Sequence, residues 1–310
     1  MDVMTRGEAP RGVARFLIVS AAVALVPACQ SAESPGLATA GCPACGEVAE
    51  RGAIHGGDVD ECSGAVAGAT HPEVLYLHND SGDAARFFAI GVDGVARGEF
   101  ELAGAVAVDW EDVGRGPCGP EGGSCLYFGD IGDNDRDRAS YAIYRVEEPA
   151  EIGAGKHAAT AEVIPFVYPD GSRDAETLLV HPVTGAITLV TKEDGSSRIY
   201  ELPLPITSSK TVTLIAAGRV EPPVGSPRIT AGDVHPEGRG VLLRTKTDVF
   251  FFPMTPGQTV AQALAAAPCL LPSAVEDQGE AIAWLPGGWD YVTISEGPGA
   301  PIHGAACGAP

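Results

Sequence analysis

Short apolar runs recur through most of the chain, each broken by a tight turn or a polar loop. VLYLHN at 74–79, LYFGD at 126–130, ITLVTKE at 187–193, VLLRTK at 241–246 and YVTIS at 291–295 are such runs. β-Branched and aromatic residues fill them, which predicts strands. Five segments resemble one another, starting at residues 63, 111, 176, 230 and 280. Each reads as strand, turn, strand, polar loop, strand. The turns are of P-x-G and P-G-G type, between Pro182 and Gly185, Pro236 and Gly238, and Pro286 and Gly288. Their prolines fix φ and their glycines accept positive φ, as tight turns require. A fourth strand follows in most repeats: VARGEFEL, AEVIPFVY, TVTLIAAG and APCLLP. Four short antiparallel strands repeated roughly every 40–50 residues make a propeller blade. The prediction is an all-β fold, a β-propeller of five blades, with six blades as the alternative. The last repeat ends without a fourth strand, and GEVAERGAI at 46–54 is expected to supply it and close the ring. Only AQALAAA, residues 261–267, competes as helix.

Residues 1–28 read differently. Arg6, Arg11 and Arg15 precede the apolar stretch FLIVSAAVALV at 16–26, which is too short to span a bilayer. Val26-Pro27-Ala28-Cys29 resembles a lipobox, which predicts a lipoprotein signal peptide over 1–28 and lipidation of Cys29. Residues 29–46, rich in Ser, Ala, Gly and Pro, read as a flexible tether, and 47–310 as the propeller domain. The expected location is exported and membrane-anchored in a bacterial cell envelope, the outer membrane ahead of the inner, with simple secretion as the alternative. Disulfides suit that setting. Cys118 and Cys125 flank a Gly/Pro turn and are expected to pair. Cys269 with Cys307, and Cys62 with a tether cysteine, are further expected pairings. Cys42 and Cys45 form a C-x-x-C without the second pair that zinc would need or the helix of a thioredoxin-type site.

The composition narrows the function classes. The 310 residues carry 20 basic and 41 acidic groups, a net charge of −21, which excludes a nucleic-acid binder. There is no G-x-S-x-G, P-loop or H-E-x-x-H. Alignment of the blades gives two rings of candidate residues. The start of the first strand holds Ser63, Glu111, Glu176, Thr230 and Glu280. The end of the second holds Asn79, Asp130, Lys192, Lys246 and Glu296. Antiparallel pairing puts both rings at one mouth of the central channel. Crowded carboxylates there need a cation, a lysine or a proton. Glu111, Glu176, Glu280 and Asp130 are therefore the candidate metal ligands, with calcium first among divalent cations. Asn79, Asp80, Asp130 and Glu296 are candidate ligand-binding residues. His78, Lys192 and Lys246 are candidates for catalysis or for holding a substrate anion. His181 and His235, both in V-H-P, read as turn residues on the opposite face.

DWEDV at 109–113, DAETLLV at 174–180 and QGEAIAW at 278–284 resemble the acidic motifs of the bacterial phytase-like ("esterase-like activity of phytase") β-propeller family. HNDSGD at 78–83 and DIGDN at 130–134 resemble motifs of secreted propellers near it. The resemblance covers about residues 47–307 and implies an exported propeller with metal-dependent phosphoester or ester hydrolysis. The residues themselves show no recognised nucleophile, and enzymatic activity stays open. They point first to a propeller that binds a ligand or partner, an anionic small molecule or an envelope protein, at one channel mouth. The alternatives are the metal-assisted hydrolase and a structural interaction scaffold.

Overall fold

The computed structural model describes residues 37–38, 40–56, 58–208 and 210–310. The leader and Cys29 lie outside the described residues.

Five sheets follow the five repeats. In blade 1 the strands Cys62–Ala67, Val74–Asn79, Arg86–Gly91 and Ala96–Ala103 succeed one another. Blade 2 runs Trp110–Pro117, Ser124–Asp130, Tyr141–Glu147 and Glu162–Val167. Blade 3 has Ala175–Val180, Ile187–Thr191, Ser197–Glu201 and Ile215–Val220, and blade 4 has Ile229–Val234, Gly240–Thr245, Val249–Pro253 and Cys269–Leu271. Blade 5 is Gly279–Trp284, Tyr291–Ser295 and Pro301–Ala305, and its outer strand is the N-terminal Ala49–Ala53. That strand pairs with Pro301–Ala305, so the ends of the chain close the ring as the sequence predicts. The first strand of each blade packs against the first strands of both its neighbours, and blade 5 meets blade 1. Five blades, not six, complete the circle.

Burial explains why the repeats were visible. Cys62–Ala67, Ala175–Val180, Ile229–Val234 and Gly279–Trp284 are buried along their whole length, because a neighbouring blade covers each face. The outer strand Ala96–Ala103 has one covered face and alternates instead. Aromatic layers fill the space between blades. Phe87 stacks on Phe100 at 4.8 Å and Trp110 on Phe128 at 5.2 Å. The expected helix is the short insertion Val260–Leu264, capped by Thr259 and Gln262 in a reciprocal capping box.

Two strands cross between blades. Lys156–Thr160 lies parallel on the outer strand of blade 1, and Val212–Thr213 parallel on that of blade 2. TVTLIAAG therefore divides, with Val212–Thr213 going to blade 2 and Ile215–Val220 to blade 3.

Three disulfides join the described chain. Cys118–Cys125 forms as the turn predicts. The other two correct the expected pairings: Cys42 bonds Cys269 and Cys45 bonds Cys307, while Cys62 is a free, buried thiol. The cause is local pairing. Ala44–Cys45 forms antiparallel bridges with Cys307–Gly308, and Ala38 N–H donates to the Pro268 carbonyl, so the N-terminal segment runs along blades 4 and 5. Cys42 and Cys45, assigned to the tether from sequence, are thus fastened to the outer edge of the ring.

Candidate functional site

Every first strand carries a β-bulge at the same place. The pairing register skips Ser63 in blade 1, Glu111 in blade 2, Glu176 in blade 3, Thr230 in blade 4 and Glu280 in blade 5. A bulge re-aims one side chain out of the ladder. All five residues are buried and stand at one end of the innermost strands. The first predicted ring is therefore a ring of bulges.

The register corrects the second ring. The residues paired just before the bulges are Asn79, Asp130, Thr191, Thr245 and Ser295. Lys192, Lys246 and Glu296 come one position later, level with Asp80 and Ile131. Alignment by sequence had set blades 1 and 2 one residue short. The consequence is visible in the walls of a cavity of about 240 Å³ at this mouth. Ser63, Glu111, Glu176 and Glu280 line it from the bulges, Asp80, Lys192, Lys246 and Glu296 from the second-strand exits, and Gln278 joins them.

Asn79, Asp130 and His78 serve other contacts. Asn79 Nδ2 donates to the Asp58 carbonyl at 2.7 Å, and its Oδ1 accepts from Asp60 N–H at 3.2 Å, which fixes the incoming loop. Asp130 pairs with Arg138 at 2.7 Å and accepts from Asp109 N–H at 3.1 Å. It positions Asp109 and is not itself available to a metal in the cavity. His78 is fully buried, edge-on to Trp110 and Phe128, with Nδ1 at 2.8 Å from the Asn79 carbonyl. Burial pulls its pKa down, and its Nε2 has no partner. It lies off the cavity, because its position in the strand turns it between blades 1 and 2.

The acids divide into two groups of three that share Glu111. Oxygens of Asp80, Asp109 and Glu111 lie within 4.8 Å of one another, and so do those of Glu111, Asp174 and Glu176. The sequence reading missed Asp109 and Asp174. Their signal was D-x-E, repeated as Asp109-Trp110-Glu111 and Asp174-Ala175-Glu176 and echoed by Gln278-Gly279-Glu280. Gly132 leaves the room they need: a Cβ there would lie 2.5 Å from Asp109 Oδ2 and closer still to Glu111 Oε1. Asp133 N–H donates to Asp174 at 3.0 Å, and Asp133 in turn accepts from Tyr141 OH at 2.6 Å. The DIGDN loop therefore supports the site through backbone and second carboxylate, not by ligating.

Cations are distributed unevenly. Lys192 Nζ is in direct contact with Glu176, and Lys246 Nζ lies 3.3 Å from Glu280 and 3.0 Å from Gln278 Oε1. Among the described residues Asp80, Asp109, Glu111 and Asp174 make no ion pair, and Glu111 has only the Ser63 hydroxyl, at 3.4 Å. The protonation behaviour follows. Burial raises Glu111 well above the usual carboxylate range, and Glu176, Asp80 and Asp109 add to it. Burial, then Asp80 and Asp174, push Asp109 up to about 6. Glu176 is pushed up to about 8 by burial against the opposing pull of Lys192. Lys192 is nevertheless raised, since Glu176 and Glu111 outweigh its burial. The contact is an ion pair, whereas Glu111, with no cation in contact, is held toward its protonated form by burial. Further along the first strands, Asp112 accepts from Leu178 N–H and Asp233 from Trp284 N–H, each at 2.9 Å, and these bonds tie neighbouring blades.

On the opposite face His181 Nδ1 accepts from Val183 N–H at 3.2 Å and His235 Nδ1 from Glu237 N–H at 3.1 Å. Both cap their turns.

No family model matches the chain, and no curated protein matches it. A solved structure described as "Structure of Dos1 propeller" is similar over 76% of this chain, at 12% identity and a TM-score of 0.36. The chain spans 55% of that structure's length. At that level the likeness adds nothing to the architecture described above.

Proposed function

We propose that the chain is a binding propeller that holds one divalent cation at the Asp80–Asp109–Glu111 corner of its channel mouth. The observation that carries this reading is the three carboxylates gathered within 4.8 Å without a cationic side chain on any of them. All donors are oxygens, with no His or Cys in the cavity wall, which suits calcium over zinc. Gly132 keeps the corner open, and Asp130 holds the Asp109 backbone. Lys246, 38% exposed along its side chain, stands on the other side of the cavity. A bound cation facing an ammonium group favours an anionic ligand between them. Melting the protein with and without calcium tests the reading, with Glu111→Gln as the control that removes the shared carboxylate.

A metal-assisted hydrolase of phosphate or ester substrates, as the phytase-like motifs imply, is the second reading. The same cation would polarise the substrate oxygen and Lys246 would hold its charge. Phosphate-ester turnover that requires calcium and falls with Lys246→Met would favour it over binding alone.

Anchoring of the exported chain by lipid on Cys29 is part of the proposal. Its support is the lipobox-like Val26-Pro27-Ala28-Cys29, together with three disulfides that fit an oxidising compartment. Detergent-phase partitioning that is lost in Cys29→Ala supports it, and aqueous partitioning of both forms refutes it.

A further inference from the structure

We infer that Lys192 is a tethered cation that fixes the number of metal ions held at the mouth. This rests on the cation reading above and extends it. The two carboxylate groups are alike in donors and share Glu111, so either could attract a dication. They differ in two members, Asp80 and Asp109 against Asp174 and Glu176, and in what the second-strand exits bring to them. The second-strand exit holds Asp80 in blade 1 and Lys192 in blade 3. Asp80 adds a third carboxylate to the first group. Lys192 instead places its ammonium on Glu176 in the second.

The backbone holds Lys192 there. Its N–H donates to the Asp174 carbonyl at 2.9 Å, while its Nζ contacts Glu176, so one residue is stitched to two members of the second group. The side chain is 18% exposed, and that of its partner 3%. A dication entering this group must displace the ammonium or tolerate it at contact distance, where like charges repel strongly in a partly desolvated space. The first group has no such occupant. An independent feature shows that the cavity still has acceptor capacity with both lysines in place. Glu280 Oε2, in the same wall, is buried and has no hydrogen-bond partner among the described residues.

Replacing Lys192 by Met keeps the aliphatic stem and removes the charge. The Glu111–Asp174–Glu176 group then has three carboxylates and no cation, like the first. The native chain is expected to bind one calcium ion and Lys192→Met two, read by equilibrium dialysis and by native mass spectrometry. Lys192→Gln provides a second version should the methionine variant fold poorly. Adding Glu176→Gln to either variant removes a ligand of the second group and is expected to return the count to one. One ion in the native chain and still one in both Lys192 variants overturns the inference and leaves the cation reading intact. Two ions in the native chain, or two in the double variant, also overturn it. No ion in the native chain removes the cation reading itself, and this inference with it.

Discussion

Glu111 and Glu176 stand at the same bulge of adjacent blades, with carboxylate oxygens within 4.8 Å of each other, and only Glu176 is held by a lysine. Identical backbone roles thus carry opposite electrostatic outcomes. The asymmetry comes from the neighbouring second-strand exits, which differ in charge from blade to blade.

Stability without metal should fall as pH rises. Asp109 and Asp233 are pushed up to about 6 and 7, and Glu111 well above the usual carboxylate range, each chiefly by burial. A carboxyl whose folded pKa is raised binds its proton more tightly in the folded state. Its contribution is present in full below the unfolded value, near 4, and is lost as pH rises through the folded value. Urea midpoints in chelator are therefore expected to drop between about pH 5 and 8, and calcium should flatten that slope by replacing protons. A midpoint that rises over this window contradicts the assignment.

Gly132→Ala should abolish the calcium response. The new methyl would occupy the space of the Asp109 and Glu111 carboxylates. Overpacking of this kind costs about 1–3 kcal/mol. Isothermal titration with calcium should show no binding in a variant that still melts cooperatively. Unaltered binding would place the ion elsewhere.

Much of this was legible in the sequence, for reasons that can be located. The blades were visible because inner strands covered on both faces become unbroken apolar runs, as in Val74–Asn79 and Gly240–Thr245. The first ring was visible because one bulge recurs at one place in five repeats. The second ring slipped in blades 1 and 2 because Asn79 and Asp130, the polar residues that draw the alignment there, are level with Thr191, Thr245 and Ser295 and not with the lysines one position later. His78 looked available from its place before a polar loop, yet strand alternation turns it inward. Lys156–Thr160 escaped notice because its partner strand belongs to a different blade, and Cys42 and Cys45 because their partners lie 227 and 262 residues away.

Those separations make a further prediction. In the chain-entropy account a cross-link stabilises more as the loop it closes grows, about 3 kcal/mol for 15 residues and about 4.7 for 100. Cys42→Ser or Cys45→Ser should therefore lower the melting temperature by more than Cys118→Ser/Cys125→Ser, whose partners are only 7 apart. Scanning calorimetry of the three variants checks the order. A larger loss from the Cys118–Cys125 pair would refute it.

His78→Gln separates packing from chemistry. The imidazole packs against Trp110 and Phe128 and does not line the cavity. The change should cost about 1–3 kcal/mol of stability through lost packing and a buried polar group. Calcium affinity should stay within about twofold. A large loss of affinity in a stably folded variant would return His78 to the site.

The most direct test of the account is a calcium titration followed by thermal melting at neutral pH, on the native chain and on Glu111→Gln. A ligand at 100 times its Kd stabilises by about 2.7 kcal/mol, which for a chain of this size corresponds to a rise of roughly 5–10 °C. The native protein should show that rise. Glu111→Gln should show none and, because burial already holds the Glu111 carboxyl toward its neutral form without metal, should melt in chelator close to the native protein. No calcium shift in the native chain, or an equal shift in both, would contradict a cation site centred on Glu111.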